Sequence, residues 1–501
     1  MMKLSTSIFK FIRQTEPVVP SNKVPLDEAL DRNVGDRSRP LILPILISAT
    51  FLMETIDSTL LVTALPKIAS DLQVDPVEAK LALSTYFLVM AALIPLSGWL
   101  TERVGPRIMF CAAIGAFTIG SVLCAYSPSL SILVFARTLQ GVGGAMMFPV
   151  GRVILVKSVS KKDLVAASSY LTIPGAVAPI FSPLLAGYVA TYSDWRWLFW
   201  INVPLGCLGM ALAGLFVPND IGIERRPFDV IGFCLSGLGL AALGFGLTSL
   251  GGQVVPVEIS VFVSFAGAVF ACLYIFHARK SDNPLLDLSL LKHRTFKIAI
   301  TGSFVTRAAV FGALPFLVPM MLQVGFGLTP LESASLTFTG AIGSLFTKFI
   351  ITRALRRAGF RNLLILTAVL TTFTIMALAF VGRYTPHALI MAVIFCSSLF
   401  RLLQILALEA MVFAEIPQRD LGAASGLLSV VKQLAASAGI AYSAFLLRAF
   451  QSLRGDIMLQ VEDFHTALIF VAIPIGLTAI MSAKLSPNDG FEISGRVTRA
   501  R

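Results

Sequence analysis

The chain has 501 residues, of which 56% are hydrophobic and only 14% are charged. Soluble proteins carry about a quarter charged residues, so this composition excludes a water-soluble globular protein of this length. The apolar residues occur in blocks of roughly 18–25, the length that a helix needs to cross a hydrocarbon core. The sequence therefore predicts an all-α polytopic membrane protein.

Fourteen membrane spans are predicted in chain order, each helical because lipid offers no hydrogen-bond partner to an open backbone. They are residues 41–65, 81–100, 107–126, 130–151, 166–190, 197–217, 229–249, 257–277, 298–322, 332–351, 362–381, 386–411, 421–446 and 465–484. No apolar core typical of a secretory signal precedes the first span, so we expect residues 1–40 to form a cytoplasmic tail. The six cysteines show no CxxC pair or Cys/His cluster, so neither a disulfide nor a metal site is indicated.

The basic residues predict the orientation of these spans. Most of the 40 lysines and arginines fall on the side that carries both termini. The positive-inside rule then puts both termini in the cytoplasm of a bacterial inner membrane. The spread of this charge over many short loops argues against nucleic-acid binding. Six basic residues lie on the other side: Lys67, Lys80, Arg196, Arg383, Arg448 and Arg454.

Two short patterns recur after a shift of eight spans, which indicates an internal repeat. R-x-G-x-R occurs around Gly105 and again around Gly359, and R-x-x-Q occurs at Arg137 and again at Arg401. Duplicated halves around a midplane site are typical of transporters. The same symmetry aligns Glu54 of the first span with Arg307 of the ninth, across one cavity. We predict an N-terminal six-helix half at 41–217 and two inserted helices with their loops at 218–297. A C-terminal six-helix half follows at 298–484, and a cytoplasmic tail at 485–501.

Several motifs carry a family resemblance over residues 41–485. They are WRWLFWINVPLG at 195–206, IDSTLLVTALPKI at 56–68, the loop GWLTERVGPR and the segment LVFARTLQGVGGA. Together they resemble the major facilitator superfamily, and within it the 14-span drug:proton antiporters. The resemblance implies a major facilitator fold and a charged loop that latches the halves in an outward-facing state. That gating loop would use Gly98 for helix approach, Gly105 for a tight turn, and Glu102, Arg103 and Arg107. Ordinary positive-inside charge is the alternative.

The fifth span contains a second motif of this family in altered form. It reads APIFSPLLAG, so that Ala178, Ser182 and Ala186 replace the glycines usual in antiporters. Prolines remove backbone donors and kink helices. We predict a functional bend with close packing, although prolines are also common in membrane helices without such a role. The bend residues are Pro174, Pro179, Pro183 and Gly187.

Charged residues inside spans usually face a cavity, because each costs at least about 2.5–3.5 kcal/mol in lipid. Glu54 and Asp57 share one helix face. We predict that they couple transport to protons, tuned by Arg137 and Gln140, and that Gln140, Arg307, Arg401 and Lys432 contact the substrate. Structural ion pairs are the alternative. We interpret Glu409 and Lys348 as side chains near span ends that snorkel to the interface.

The sequence predicts a proton-coupled secondary exporter of small organic molecules, with no catalytic cluster and no cofactor. No GxxxxGK[ST] motif is present, so the energy is expected to come from a proton gradient. The intramembrane basic residues suit an anionic metabolite or a siderophore-like compound at least as well as a cationic drug. An importer of the same fold, and a membrane-embedded sensor or enzyme, also stay open at this point. We expect a monomer in the lipid bilayer and leave a periplasmic adaptor protein open as a partner.

Overall fold

The computed structural model describes residues 42–158, 178, 181–218, 229–249, 256–281, 284–417, 420–455, 458–486 and 489. Within these ranges every regular element is a helix. The prediction of an all-α protein is therefore confirmed. The predicted tail 1–40, and almost all of the predicted tail 485–501, lie outside the described residues.

The helices of the first half of the chain follow the predicted spans closely. The first helix runs six residues beyond its predicted end, and the fifth is described only over 181–192. A short helix, Trp197–Trp200, leads into the sixth. The bounds are α1 Ile42–Asp71, α2 Lys80–Val104, α3 Pro106–Ala125, α4 Leu130–Ser158, α5 181–192, α6 Asn202–Phe216, α7 Val230–Ser249 and α8 Val257–Lys280.

The second half of the chain contains one interrupted and one broken helix. α9 runs over Arg294–Gly325 and contains π-helical turns at Ala308–Ala313 and Met321–Gly325. The helix Pro330–Leu378 breaks at Gly359, where φ is 72°, and we call its arms α10 (330–358) and α11 (360–378). The remaining helices are α12 His387–Phe413, α13 Leu421–Arg454 and α14 Val461–Ala483.

The number of membrane crossings is not settled by these helices. In the described part, twelve helices are long and apolar enough to cross a membrane. One of them is Pro330–Leu378, which covers two predicted spans, and most of the predicted fifth span lies outside the described residues. The count of fourteen, and the division into two six-helix halves with an inserted pair, stay predictions.

The buried apolar residues form three clusters that are distributed unequally between the two ends of the bundle. The first cluster gathers the C-terminal parts of α1, α3, α9, α11 and α13 and the N-terminal parts of α2, α4, α10, α12 and α14. Successive helices therefore alternate in direction. We call this the far end, and the opposite end, with the turns at Gly105 and Gly359, the motif end. At the motif end two separate clusters replace the single one: one on α1–α4 and α6, the other on α8–α13 with the segment that precedes α9.

Polar contacts also join the N-terminal and the C-terminal helices at the far end. Because the single apolar cluster and these contacts lie at the same end, the N-terminal and C-terminal helices are packed together there. The contacts are the ion pair of Arg448 with Asp75 at 3.0 Å, and hydrogen bonds from Gln323 Nε2 to the Thr63 carbonyl (3.0 Å) and from the Leu331 amide to Thr191 Oγ1 (3.1 Å).

Candidate functional site

Asp57 of α1 lies in the interior of the bundle and is only 2% exposed. Its Oδ2 accepts a hydrogen bond from Arg137 Nη1 of α4 at 2.5 Å. Arg137 Nε donates to the Ala82 carbonyl of α2 at 3.2 Å, and its guanidinium carbon lies 4.2 Å from the Tyr86 ring centroid. Cation–π contact and hydrogen bonds thus hold the guanidinium in place. This ion pair joins α1, α2 and α4.

Two amide side chains complete the surroundings of the Asp57 carboxylate. Gln140 Nε2 and Asn202 Nδ2 donate to Asp57 Oδ1 at 3.2 and 2.7 Å. Both amides also reach Ser121 Oγ, at 2.7 and 3.4 Å. Gln140 Oε1 accepts a bond from Arg137 Nη1 at 2.8 Å. We call these five residues the Asp57 cluster, in which both carboxylate oxygens of Asp57 accept hydrogen bonds.

Glu54 lies one turn before Asp57 on the same face of α1 and is 7% exposed. Its Oε1 accepts a long hydrogen bond from Tyr86 Oη at 3.4 Å, and its Oε2 has no hydrogen-bond partner among the described residues. A buried carboxylate without a cation is stable when it binds a proton. Glu54 and Asp57 therefore have opposite surroundings: Glu54 is paired with no cation among the described residues, and Asp57 is bonded to one.

A second ionic group lies on α9, α12 and α13. Glu409 Oε1 accepts a hydrogen bond from Arg307 Nη2 at 2.5 Å, and the same oxygen is paired with Lys432 Nζ. Arg307 Nε also donates to Ser303 Oγ at 3.0 Å. We call Arg307, Glu409 and Lys432 the Glu409 triad.

The triad corrects two interpretations made from the sequence. In the described part of the chain, Arg307 is paired with Glu409 and Glu54 is bonded to Tyr86, so the two residues that the repeat aligned are not partners. Glu409 does not simply snorkel to the interface, because two cations converge on its carboxylate. The predicted repeat aligned positions along the helices, but it carried no information about the partner that each side chain selects.

A cavity of about 290 Å³ lies between α1, α5 and α9–α12. Its described lining is apolar and hydroxylated, includes Pro183 and Phe311, and contains no acidic side chain. Two cations, Arg401 and Lys348, also line it. Arg401 Nη2 donates to Ser398 Oγ at 2.8 Å. Lys348 therefore contributes to a cavity, whereas the sequence suggested only a side chain reaching the interface.

The residues predicted to contact substrate are thus divided among three places. Arg401 lines the cavity, whereas Arg307 and Lys432 belong to the Glu409 triad. Gln140 lies in the Asp57 cluster and is absent from the described cavity lining. The R-x-x-Q echo is not repeated in the contacts, because Gln404 donates to Thr478 at 3.0 Å and not to a carboxylate.

The predicted gating loop forms the turn between α2 and α3. Gly105 has φ of 98°, a conformation that favours glycine, and the equivalent Gly359 also has positive φ. The guanidinium carbon of Arg103 lies 5.3 Å from the Trp99 ring centroid. The close helix approach expected at Gly98 is absent among the described residues, since an added Cβ there meets no heavy atom within 4 Å. The side chain of Glu102 lies outside the described set, and the latching role of the loop, with Arg107, stays a prediction.

The predicted bend in the fifth span is only partly described. Pro174 and Pro179 lie outside the described residues. Gly187 shows the close approach that the motif predicts, because an added Cβ would lie 2.6 Å from Ala334 Cβ and 2.8 Å from the Pro330 carbonyl oxygen of α10. This part of α5 packs against the start of α10 at the far end.

Comparison with known proteins identifies the family of this bundle. A model of the Major Facilitator Superfamily matches residues 47–440. The chain belongs to the major facilitator superfamily. It is 34% identical over 451 residues to "Putative multidrug resistance protein MdtD" of Salmonella typhimurium, covering 89% of this chain and 94% of the relative. The protein of the same name from Escherichia coli (strain K12) is 35% identical over 456 residues, with the same coverage.

A solved structure agrees with this assignment at the level of the fold. The bacterial homologue of the human lysosomal transporter Spinster, in an inward-facing and occupied conformation, covers 93% of this chain and is itself covered completely. The TM-score is 0.61 and the identity is 16%. The all-α major facilitator fold expected from the motifs is therefore established for this chain.

Sequence reasoning missed three contributors to these sites. Asn202 stands in the motif WRWLFWINVPLG, where its polar side chain among apolar neighbours was the available signal. Ser121 and Tyr86 gave no signal, because single hydroxyl groups are common in apolar helices. Contacts between helices that are distant in the sequence bring Asn202 and Tyr86 to the two carboxylates of α1, and Ser121 to the amides that bind Asp57.

Proposed function

We propose that this protein is a proton-coupled exporter that moves small organic molecules across the bacterial inner membrane by alternating access. Both termini would lie in the cytoplasm, at the motif end. One observation carries the proposal: Asp57 is a buried carboxylate whose only cation, among the described residues, is the equally buried Arg137. Such a pair is sensitive to a single proton.

Protonation of Asp57 would change the contacts between three helices. The neutral acid loses its charge attraction to Arg137, and removing one partner from a buried ion pair typically costs about 3–5 kcal/mol. Arg137 is also bonded to α2, so a change at Asp57 is transmitted to the packing of α1 against α2 and α4. Glu54, which is paired with no cation in the described part of the chain, supplies a nearby second carboxylate for the proton.

The distribution of buried contacts supports alternating access. The two parts of the chain share one core at the far end and have separate cores at the motif end. This is the arrangement expected of a transporter that is closed to the outside and open toward the cytoplasm. The names of the relatives, putative multidrug resistance proteins, favour export as the direction.

Transport by the purified protein in proteoliposomes tests proton coupling. A pH gradient should drive movement of a dye such as ethidium in the wild type. Asp57→Asn should abolish the gradient-driven component, and Glu54→Gln should weaken it. Asp71→Asn serves as the control, because Asp71 forms only an exposed i,i+4 pair with Lys67 on the same helix. Wild-type coupling in both Asp57→Asn and Glu54→Gln would refute the proposal.

The cavity favours a narrower second candidate, an exporter specialised for organic anions. Its described lining combines apolar surface with Arg401 and Lys348 and offers no carboxylate to a cationic drug. A bidentate guanidinium recognises a carboxylate well. Arg401→Gln should weaken binding of an aromatic carboxylate and leave binding of its uncharged amide unchanged. Equal loss for both probes would show that the side chain acts only through packing.

A further inference from the structure

The Glu409 triad is an ionic group that proton transfer at Asp57 does not require. Its two cations and one carboxylate leave one positive charge in excess. Arg152 of α4 adds a further positive charge that acts on Lys432. This region therefore attracts an anion even while Glu409 is ionised.

Two members of the triad, Glu409 and Lys432, are accessible, unlike the Asp57–Arg137 pair, whereas the side chain of the third, Arg307, is 7% exposed. The side chains of Glu409 and Lys432 are 26% and 38% exposed, whereas those of Arg137 and Asp57 are 0% and 1% exposed. The triad lies toward the motif end, where the two cores are separate. An ion pair in contact with water exchanges partners at a smaller cost than a dry one, because water solvates the charge that is released.

The triad adjoins the cavity through one aromatic ring. Phe311 lines the cavity, and the Arg307 guanidinium carbon lies 5.5 Å from its ring centroid. A molecule whose apolar body contacts Phe311 in the cavity thus has a cation 5.5 Å from the centre of that ring. That cation, Arg307, is occupied by Glu409 in the present arrangement.

We infer that Glu409 is an internal counter-ion that occupies an anion site on Arg307 and Lys432, and that the carboxylate of an amphipathic organic substrate displaces it. In the substrate-free carrier, Glu409 neutralises two cations that would otherwise repel each other. When substrate binds, its carboxylate takes over the same two donors and Glu409 turns into the water of the motif end. The inference rests on the proposed function only in treating the displacing anion as the transported substrate.

Equilibrium binding to the purified full-length protein tests this inference. The probe is the fluorescent carboxylate N-dansylglycine, with the uncharged N-dansylglycinamide as the matched control ligand. Removing a charged hydrogen-bonding competitor should strengthen binding by about tenfold or more, so Glu409→Gln should lower the Kd of the carboxylate by that factor. Lys432→Gln should raise the Kd of the carboxylate, and neither variant should change binding of the amide.

Glu415→Gln is the matched control variant. Glu415 lies two residues beyond the end of the same helix and accepts a hydrogen bond from Thr295 at 2.6 Å, a contact that glutamine retains. Should Glu409→Gln fail to fold, Glu409→Asp replaces it, because its shorter side chain also withdraws from the cations and must also tighten binding. Unchanged or weaker carboxylate binding in a folded Glu409 variant would overturn the inference.

This measurement is independent of proton coupling. A failure of Asp57→Asn to alter gradient-driven transport would refute the proposed function without changing the Kd of the probe in Glu409→Gln. Conversely, normal proton coupling together with an unchanged Kd in Glu409→Gln would leave the exporter proposal intact. The triad would then have only a structural role between helices.

Discussion

Arg307 of α9 pairs with Glu409 of α12 over 2.5 Å, as Asp57 of α1 pairs with Arg137 of α4, but with acid and base exchanged between the two helices. The predicted repeat aligns α9 with α1 and α12 with α4. An ion pair thus joins the first and fourth helices of each predicted half. The N-terminal pair is dry and the C-terminal pair is partly exposed, so the two pairs are expected to respond differently to mutation.

Because their environments differ, removal of Asp57 and removal of Glu409 should lower the stability of the protein by different amounts. Asp57→Ala leaves a buried guanidinium unpaired, which typically costs about 3–5 kcal/mol. Glu409 is itself 26% exposed and one of its two cations, Lys432, is 38% exposed, so Glu409→Ala should cost less. The Tm of the two purified variants measures the contrast, and an equal or larger loss for Glu409→Ala would contradict the assignment of the two environments.

Asn202→Ala should disturb the Asp57 cluster without removing a charge. The variant loses the 2.7 Å hydrogen bond to Asp57 Oδ1, and a hydrogen bond to a charged group contributes about 1.5–3 kcal/mol. We expect a lower Tm and a changed pH dependence of transport. Asn362→Ala, at an exposed position of α11, is the matched control and should have neither effect. A wild-type pH profile for Asn202→Ala would remove Asn202 from the coupling site.

Breaking the far-end ion pair should favour opening of that end. Asp75→Asn removes the charge that Arg448 contacts at 3.0 Å, and a pair of this exposure contributes about 1 kcal/mol, or roughly a fivefold shift in population. Distances between spin labels on α2 and α13 measure the shift. Lys67→Gln, which breaks an exposed pair within α1, is the control and should leave the distances unchanged.

Gly187→Val should interfere with the packing of α5 against α10. Its side chain would meet Ala334 Cβ and the Pro330 carbonyl at distances below 3 Å, so the far end must separate or the helices must shift. We expect a lower Tm and a larger α5–α10 distance. Gly214→Ala is the control, because an added Cβ there meets no described heavy atom within 4 Å. Wild-type behaviour of Gly187→Val would show that this contact is not required.

Gly105→Ala should strain the turn between α2 and α3. Alanine at φ of 98° costs about 1–3 kcal/mol, so the Tm should fall. Gly98→Ala offers a sharp contrast, since it lies within α2 in open space and alanine has the higher helix propensity. Its Tm should stay constant or rise. A similar fall in both variants would mean that the loop needs small residues and not a particular backbone conformation.

The fold was largely predictable because lipid imposes a simple rule on the backbone. Apolar blocks of sufficient length must be helical, and the positions of α1–α4 and α12–α14 follow their predicted spans closely. A tight turn was also predicted at Gly105, and Gly105 and Gly359, where the R-x-G-x-R pattern recurs, both have positive φ. The boundaries were less accurate, since polar ends such as Lys67–Asp71 extend α1 beyond its apolar block.

The partners of the charged residues were only partly predictable. Motif resemblance associated Arg137 with the acids of α1, and the structure brings Arg137 and Gln140 to Asp57. It did not reveal that Glu409 pairs with Arg307 and Lys432, because those residues lie on three helices that are distant in the sequence. Side-chain length and helix rotation, which a repeat alignment does not contain, select the partner.

The sequence by itself determined that the chain is helical, membrane-spanning and built with carboxylates and basic residues where lipid would reject them. Hydrophobic length and the cost of burying charge are properties of the residues, so they can be read without coordinates. Only the tertiary structure decided which charges meet, that Asp57 is dry while Glu409 is accessible, and that the two parts of the chain share a core at one end alone. Those features depend on distances between helices, which sequence spacing does not fix.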